Sequence, residues 1–487
     1  MNPSRHLVKT RIVATVGPAC ENEDTLRELI IAGVDIFRLN FAHGQHDWLA
    51  EILQRIRSLS DELMTPVGVL GDLSGPKIRL GKLEGDALEC RESMTVRFVR
   101  GESTAPTDLT CSYERLIDDV AKGDRILLAD GTVRLRVEEE AEDSVICTVT
   151  EGGIIRSRQG VNLPGVALST PSITEKDRSD LKWALEQRLN FIGLSFVRSA
   201  ADIRLLKQLI EEGQADEEPW TPHVVAKIEK TEAIADLDNI LDETDAVMVA
   251  RGDLGVEADI SRVPILQKDI IRRANLARVP VITATQMLDS MTHSDLPTRA
   301  EVSDVANAVM DGTDAVMLSG ETAIGHDPAG CVRMMERIID EAEPYVAPGQ
   351  LECDSLEHRQ ANPITEAVSR GATVVADSLN ADLIVIATNT GRTALSLSRL
   401  RGKVPIVAVT HRADTAGRIC LLWGVTAVRS QLVRQSADAL LQFVVQWGLN
   451  HNLLKPGQKL VIVGHTNWLG QGHDMLMVHE VPSTETC

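Results

Sequence analysis

HVVAKIE (223–229), AVMVARGD (246–253), VPVITATQ (279–286) and AVMLSGE (315–321) are the runs that decide how this chain folds. Each is a short, β-branched apolar stretch with little polar interruption, the pattern of a strand covered on both faces, and each ends in polar residues. Between them lie segments of helical length, Val263–Arg278 and Arg299–Asp311, the second opened by Thr298 and Glu301 at the spacing of a capping box. Toward the N-terminus the rhythm continues in RIVATVG (11–17), VDIFRLN (34–40), VGVLGDL (67–73) and FIGLSFV (191–197), with helices expected over Asp47–Leu63 and Ala201–Glu212. Strand and helix alternating eight times predict a closed parallel (β/α)8 TIM barrel. Asp245-Ala-Val-Met248 and Asp314-Ala-Val-Met317 open two of the strands in the same way, as equivalent barrel units would.

The rhythm breaks twice. Between Gly75 and Pro171 the pattern turns to period two in TVRFV (95–99), DRILLAD (124–130), TVRLRV (132–137) and VICTVT (145–150), which predicts an inserted antiparallel β domain. Gly75-Pro76 and Leu163-Pro164-Gly165 are its stiff hinges, and a domain inserted at the barrel mouth is placed to act as a lid. After Pro344 and Pro348, LIVIAT (383–388), VPIVAVT (404–410) and KLVIVGHT (459–466), with a helix over Ser436–His451, predict an open sheet of parallel strands. The expected domains are therefore barrel (1–75), lid (76–171), barrel again (172–345) and a C-terminal α/β domain (346–487), the last of which the resemblance set out below implies to be regulatory.

The 487 residues exceed a single core, and 43% hydrophobic with 25% charged is ordinary globular composition. A formal net charge of −21 excludes nucleic acid and an anionic membrane surface as partners, because both would be repelled over most of the surface. A small anionic substrate would then need a local cluster of cations or metal. The eight cysteines stand at no metal-ligand or redox spacing, and no apolar run approaches a membrane span or a secretory leader. The expectation is a reduced, cytoplasmic protein.

Barrel chemistry gathers at the C-terminal ends of the strands. Here those ends carry Arg38 and Asn40, Asp72, Ser195, Lys227 and Glu229, Arg251 and Asp253, Thr285 and Gln286, Ser319 and Glu321. Residues two apart on a strand share a face, so Arg38 joins Asn40 and Lys227 joins Glu229. Glu229 and Asp253, from adjacent units with no nearby His or Cys, suit a hard cation such as Mg²⁺ or Mn²⁺. Arg38, Lys77, Arg79 and Lys227 supply positive charge around the same mouth, which makes it a pocket for phosphate and carboxylate. No GxxxxGK[ST] loop occurs, so a nucleotide is not held by a P-loop. His43 and His46 lack a metal-ligand partner and read as loop residues, while Trp183, Trp447 and Trp468 read as packing residues.

At this point TRIVATVGPA (10–19), FRLNFAHG (37–44), GDLSGPKIR (71–79), AKIEK (226–230), MVARGDLGVE (248–257), TATQMLDSM (283–291), PTRAEVSDVANAVMDGTDAVMLSGETA (297–323) and TNTGRTA (388–394) resemble pyruvate kinase. The resemblance runs from about residue 10 to the C-terminus. It implies phosphoryl transfer from phosphoenolpyruvate to ADP, giving pyruvate and ATP. It also implies Glu229 and Asp253 as Mg²⁺ ligands, Lys227 beside the transferring phosphoryl group, and Arg38 on the phosphate. Gly252, Asp253 and Thr285 would meet the substrate, and Thr285 with Ser319 would form the relay that protonates the enol carbon. Asn40, His43 and Arg79 would line the ADP side, and a homotetramer is implied.

Where family members hold K⁺ with an Asn, a Ser, an Asp and a Thr, this chain keeps Asn40 and Asp72 but has Ala42 and Leu73. Lys77 occupies the position of a nearby Glu. A fixed ammonium would repel K⁺ in that space, so catalysis is expected not to require K⁺. The loop Thr388-Asn389-Thr390-Gly391-Arg392-Thr393 resembles an effector site for a sugar phosphate or nucleotide. The far loop His465–Asp474 has no Lys or Arg, which favours a monophosphate. Two other readings compete. A metal-dependent, enolate-forming aldolase or lyase explains Glu229 and Asp253 but not the lid. A catalytically silent sensor would expect losses among Lys227, Glu229, Asp253 and Thr285, and none is lost.

Overall fold

A computed structural model describes residues 8–482, apart from 102, 104, 167–168, 215–219, 347–361 and 466–472. Eight parallel strands close a barrel: β1 (Arg11–Thr15), β2 (Ile36–Asn40), β3 (Gly68–Asp72), β4 (Phe191–Leu194), β5 (His223–Ile228), β6 (Ala246–Ala250), β7 (Val281–Ala284) and β8 (Ala315–Leu318). They pair in sequence order, and β8 returns to β1 with Arg11 opposite Ala315. Nearly every strand residue is buried, because helices cover the outer face while side chains fill the axis. The helices expected from periodicity stand within a residue or two of their predicted ends, and Thr298 with Glu301 forms the capping box.

The repeated strand opening has a physical cause. Asp245 accepts the Val224 N–H at 2.9 Å and Asp314 accepts the Val281 N–H at 2.8 Å. In each case the residue before a strand caps the first or second amide of the strand preceding it. The preceding threonines extend the repeat, since Thr244 donates to Val224 O and Thr313 to Val281 O. Asp35 does the same for Ile12.

The lid sheet joins strands Val161–Asn162, Arg125–Leu128, Val133–Ala141, Ser144–Glu151, Thr95–Val99 and Asp108–Leu109, antiparallel except for the last pair, with a two-stranded sheet beside it. Its own core includes Phe98, Leu128, Leu135 and Val149. The C-terminal sheet contains β9 (Leu383–Ala387), β10 (Ile406–Thr410), β11 (Val425–Arg429), β12 (Lys459–Gly464) and β13 (Met475–Glu480), in the order β11-β10-β9-β12-β13. The three strands expected from the sequence, β9, β10 and β12, are parallel, and β13, which was not foreseen, runs antiparallel on the edge, where half-exposed residues replace the fully apolar pattern. Among the described residues no helix is long and apolar enough to cross a membrane.

Candidate active site

Asp72, the last residue of β3, organises the mouth. It is 1% exposed, and it accepts Arg38 Nε at 2.7 Å while Lys227 Nζ stands 3.3 Å from its other oxygen. Lys227 reaches Glu229 at 3.0 Å and donates to Ser195 Oγ at 2.7 Å; Ser195 in turn donates to Leu73 O. Arg38 is steadied from the other side by Thr15 Oγ1 at 3.2 Å. Burial works against the charge on Asp72, but Lys227 and Arg38 outweigh it and hold the carboxyl below its ordinary range. Burial likewise opposes the Lys227 ammonium, yet Asp72 and Glu229 raise it above the usual lysine value. Lys227 is a fixed cation.

Glu229 behaves differently. Burial, reinforced by the charge of Asp253, pushes its carboxyl upward against the pull of Lys227. One of its oxygens accepts the Phe196 N–H at 2.7 Å. Asp253 has no hydrogen bond or ion pair among the described residues and faces the cleft between lid and barrel. Three carboxylates, Asp72, Glu229 and Asp253, thus confront two cations, Arg38 and Lys227, leaving one negative charge. A divalent cation would reverse that sign and admit an anion. The donors are oxygens, and no cluster of three or more His, Cys, Asp or Glu is placed to hold a metal among the described residues. A hard cation here fits two carboxylates, with substrate and water completing its shell.

Asp253 does not end a strand, as the sequence suggested. Arg251 opens a helix, α1 (Arg251–Glu257), and Asp253 lies in its first turn. Arg251 itself points away from the mouth into the barrel wall, where it is bound to Asp304, Ala284 O and Thr285 O. Glu321 is also structural: its two oxygens accept the Leu288 and Ser319 amides, and it sits in a helical turn rather than on a strand.

Thr285 and Gln286 adopt the left-handed region, with φ of 70° and 54°. For a β-branched residue this is strained, and such strain is held where surrounding contacts over-determine it. Those contacts are visible: Thr285 Oγ1 donates to Ala284 O at 2.6 Å and accepts the Gly252 N–H at 2.8 Å. Ser319 Oγ is buried with no hydrogen-bond partner among the described residues. An uncommitted hydroxyl at the rim of a reactive mouth is unusual on stability grounds.

Of the remaining predicted residues, Lys77 alone lines the cleft between lid and barrel, and the others lie apart from it. Lys77 lines it, exposed, together with Asp130, Asn162, Arg198, Lys230 and Asp253. Arg79 belongs to the lid and donates to Arg158 O at 3.2 Å. Asn40 accepts the Ala42 N–H at 3.1 Å, and His43 is exposed. His46 is more than a loop residue, for it stacks on Trp183 and meets Asp180 at 2.8 Å. Trp183 and Trp447 pack as expected, whereas Trp468 and most of the loop His465–Asp474 lie outside the described residues. The 388–393 loop joins β9 to α2 (Arg392–Arg399), with Gly391 at φ 84°. Thr388 Oγ1 accepts the Gly391 N–H, and Thr393 Oγ1 meets His473 Nδ1 at 2.7 Å. Sequence reasoning gave no role to Ser195, the Phe196 amide, Lys230 or Glu257.

Residues 7–332 match the family model described as pyruvate kinase, barrel domain, and 366–479 the one described as pyruvate kinase, alpha/beta domain. Pyruvate kinase 2 of Synechocystis sp. is 44% identical over 465 residues, 94% of this chain and 76% of that protein. A pyruvate kinase of Agrobacterium vitis is 40% identical over 480 residues, 98% of each. The crystal structure of a pyruvate kinase from Cryptosporidium parvum superposes with a TM-score of 0.91 at 35% identity, covering 98% of this chain and 97% of that one.

Proposed function

The chain belongs to the pyruvate kinase family, and on that premise we propose how its side chains carry the family's reaction. That reaction transfers the phosphoryl group of phosphoenolpyruvate to ADP, giving pyruvate and ATP in the last step of glycolysis. The aldolase or lyase alternative finds no support among these relatives. The observation that carries the assignment of roles is the interlocked group of Arg38, Asp72, Lys227 and Glu229 beside the unpaired Asp253.

Glu229 and Asp253 hold Mg²⁺ or Mn²⁺, which when bound supplies positive charge to the carboxylate and phosphate of the substrate. Lys227 holds its proton throughout and faces the phosphoryl group in flight and the enolate it leaves behind, where negative charge accumulates. Arg38, braced by Asp72 and Thr15, grips the phosphate. The amide end of α1, Gly252 with Asp253, and Thr285 orient the substrate. Thr285 and the uncommitted Ser319 hydroxyl relay a proton to the methylene carbon of the enolate, producing the methyl group of pyruvate. Asn40, His43 and Arg79 line the nucleotide side. The lid closes over the mouth and keeps water from competing with ADP.

Lys77 takes the place of a monovalent cation. Asp72 already holds two cations, Asn40 is committed to the Ala42 amide, and Leu73 is buried and apolar, all of which supports catalysis without K⁺. The 388–393 loop binds a sugar monophosphate or nucleotide effector, the working unit is a homotetramer, and the protein acts in the cytoplasm. A coupled assay with phosphoenolpyruvate, ADP and Mg²⁺ tests this reading. Exchanging K⁺ for tetramethylammonium is expected to change turnover by no more than about twofold; collapse of activity refutes the role of Lys77. Added glucose 6-phosphate or AMP should shift the phosphoenolpyruvate dependence, and silence toward both removes the effector assignment.

A further inference from the structure

The lid touches the helix that carries Asp253 at the opposite end of that helix. Asn162, on the lid strand that leads back to the barrel, donates from Nδ2 to Glu257 Oε1 at 3.3 Å. The same oxygen accepts Lys230 Nζ at 2.6 Å. Lys230 and Glu257 are 6% and 4% exposed, and Glu257 Oε2 is buried with no hydrogen-bond partner among the described residues. A second lid segment comes near the neighbouring residue, since the place a Cβ on Gly131 would take lies 3.6 Å from Val256 Cγ1 and a side chain added there would touch it.

Glu257 is the last residue of α1, and Asp253 is one turn before it. A helix this short, roughly two turns, moves as a rigid piece, so a pull at Glu257 is felt at Asp253. At its other end the Gly252 N–H is tied to Thr285 Oγ1. Lys230 directly follows Glu229 in sequence, so one ion pair joins the segment bearing Glu229 to the helix bearing Asp253. Against that short ion pair the Asn162 bond is long and neutral on the donor side. It is the weaker link, and the one that can open and close with the lid.

We propose that Asn162, Glu257 and Lys230 are positioning residues forming a latch, so that closing the lid sets the spacing of Glu229 and Asp253. Metal-site assembly and water exclusion then occur as one event. This rests on the reading of Glu229 and Asp253 as metal ligands and of the inserted domain as a lid.

The test uses the full-length protein with Asn162→Ala and Asn162→Gln. Mn²⁺ binding in the presence of phosphoenolpyruvate is followed by the electron paramagnetic resonance signal of free Mn²⁺, and pyruvate formed per ATP formed is measured separately. In Asn162→Ala, Mn²⁺ affinity should fall about tenfold, the scale of one hydrogen bond to a charged group. Pyruvate should also exceed ATP while the thermal midpoint holds. Asn162→Gln, which keeps the amide, should recover part of both. Wild-type Mn²⁺ affinity and stoichiometry in Asn162→Ala overturn the latch. So does a lower thermal midpoint with both of these unchanged, since the residue would then be structural. Failure of the unmodified protein to form ATP sinks the assigned reaction instead, and is read directly from the control.

Discussion

Each end of the barrel buries an aspartate between two cations, and the two arrangements serve opposite purposes. At the mouth Asp72 is held by Arg38 and Lys227. At the base Asp314 is held by Arg399 and Arg401, both from the C-terminal domain. The base is sealed: the Arg401 guanidinium lies 4.7 Å over the Trp423 ring and Lys9 lies 5.0 Å from it, while Asp314 also caps Val281. Burial, with Arg399 adding to it and Asp314 opposing, brings Arg401 down to about 10, which leaves it charged at neutral pH. The mouth holds the same motif but adds Glu229, the Ser319 hydroxyl and Asp253, the last two without a side-chain partner among the described residues, and Asp253 lines an open cleft. Paired charge alone therefore does not mark a site. What marks it is the group left without a partner where solvent and ligand can reach.

Replacing Lys227 breaks the mouth most severely. Lys227→Met fills similar volume without charge, and Asp72 keeps Arg38 while Glu229 can take up a proton. Turnover should fall by at least about 10³-fold, on the scale of removing a fixed charge aimed at a transition state. Circular dichroism should report an unchanged fold, and retained turnover would remove Lys227 from the chemistry. The matching change at the base should invert the result. Asp314→Asn leaves two buried guanidiniums facing one neutral acceptor, a loss of about 3 kcal/mol in stability read from the denaturant midpoint. The KM for phosphoenolpyruvate in the folded fraction should stay within about twofold. A change in KM as large as that in stability would mean the two ends are not separable.

The eight barrel strands were legible because burial on both faces writes itself as unbroken apolar runs. Their ends were less so. Gly252 in ARGD and Gly320 in SGE are the residues that end the extended chain, but reading each apolar run through to its polar tail carried Arg251, Asp253 and Glu321 along as strand ends although the backbone has already turned into helix. Asp253 still reached the mouth because the first turn of that helix stays on the rim; Arg251 and Glu321 turned into the wall. Edge strand β13 escaped notice since its half-exposed residues lack the buried pattern. The residues around the site that could be given no role from sequence are those whose meaning depends on a distant partner. Ser195 matters because Lys227 lies 2.7 Å away, and Glu257 because Lys230 and Asn162 converge on it, 27 and 95 residues off in sequence. No spacing rule links them.

The smallest effect tests whether the loop end of the C-terminal sheet behaves like the sealed base or the open mouth. His473 Nε2 meets the Ala387 carbonyl at 2.6 Å, and a carbonyl only accepts, so Nε2 carries the proton. Nδ1 must then accept from the Thr393 hydroxyl. Burial holds His473 below the ordinary histidine value, with the Ala387 carbonyl opposing and His465 adding to the depression. The unfolded chain therefore binds the proton more readily, and stability rises with pH in that window. The contribution is full above the unfolded value near 6.5 and is lost as pH falls toward the folded one. Scanning calorimetry from pH 7 to 5 should show the midpoint dropping by less than about 2 °C from this source, given a domain of this size. His473→Gln should flatten that slope, and an unchanged slope would mean that the imidazole binds its proton equally well in the folded and unfolded chains, so that burial beside Ala387 and Thr393 does not bias it.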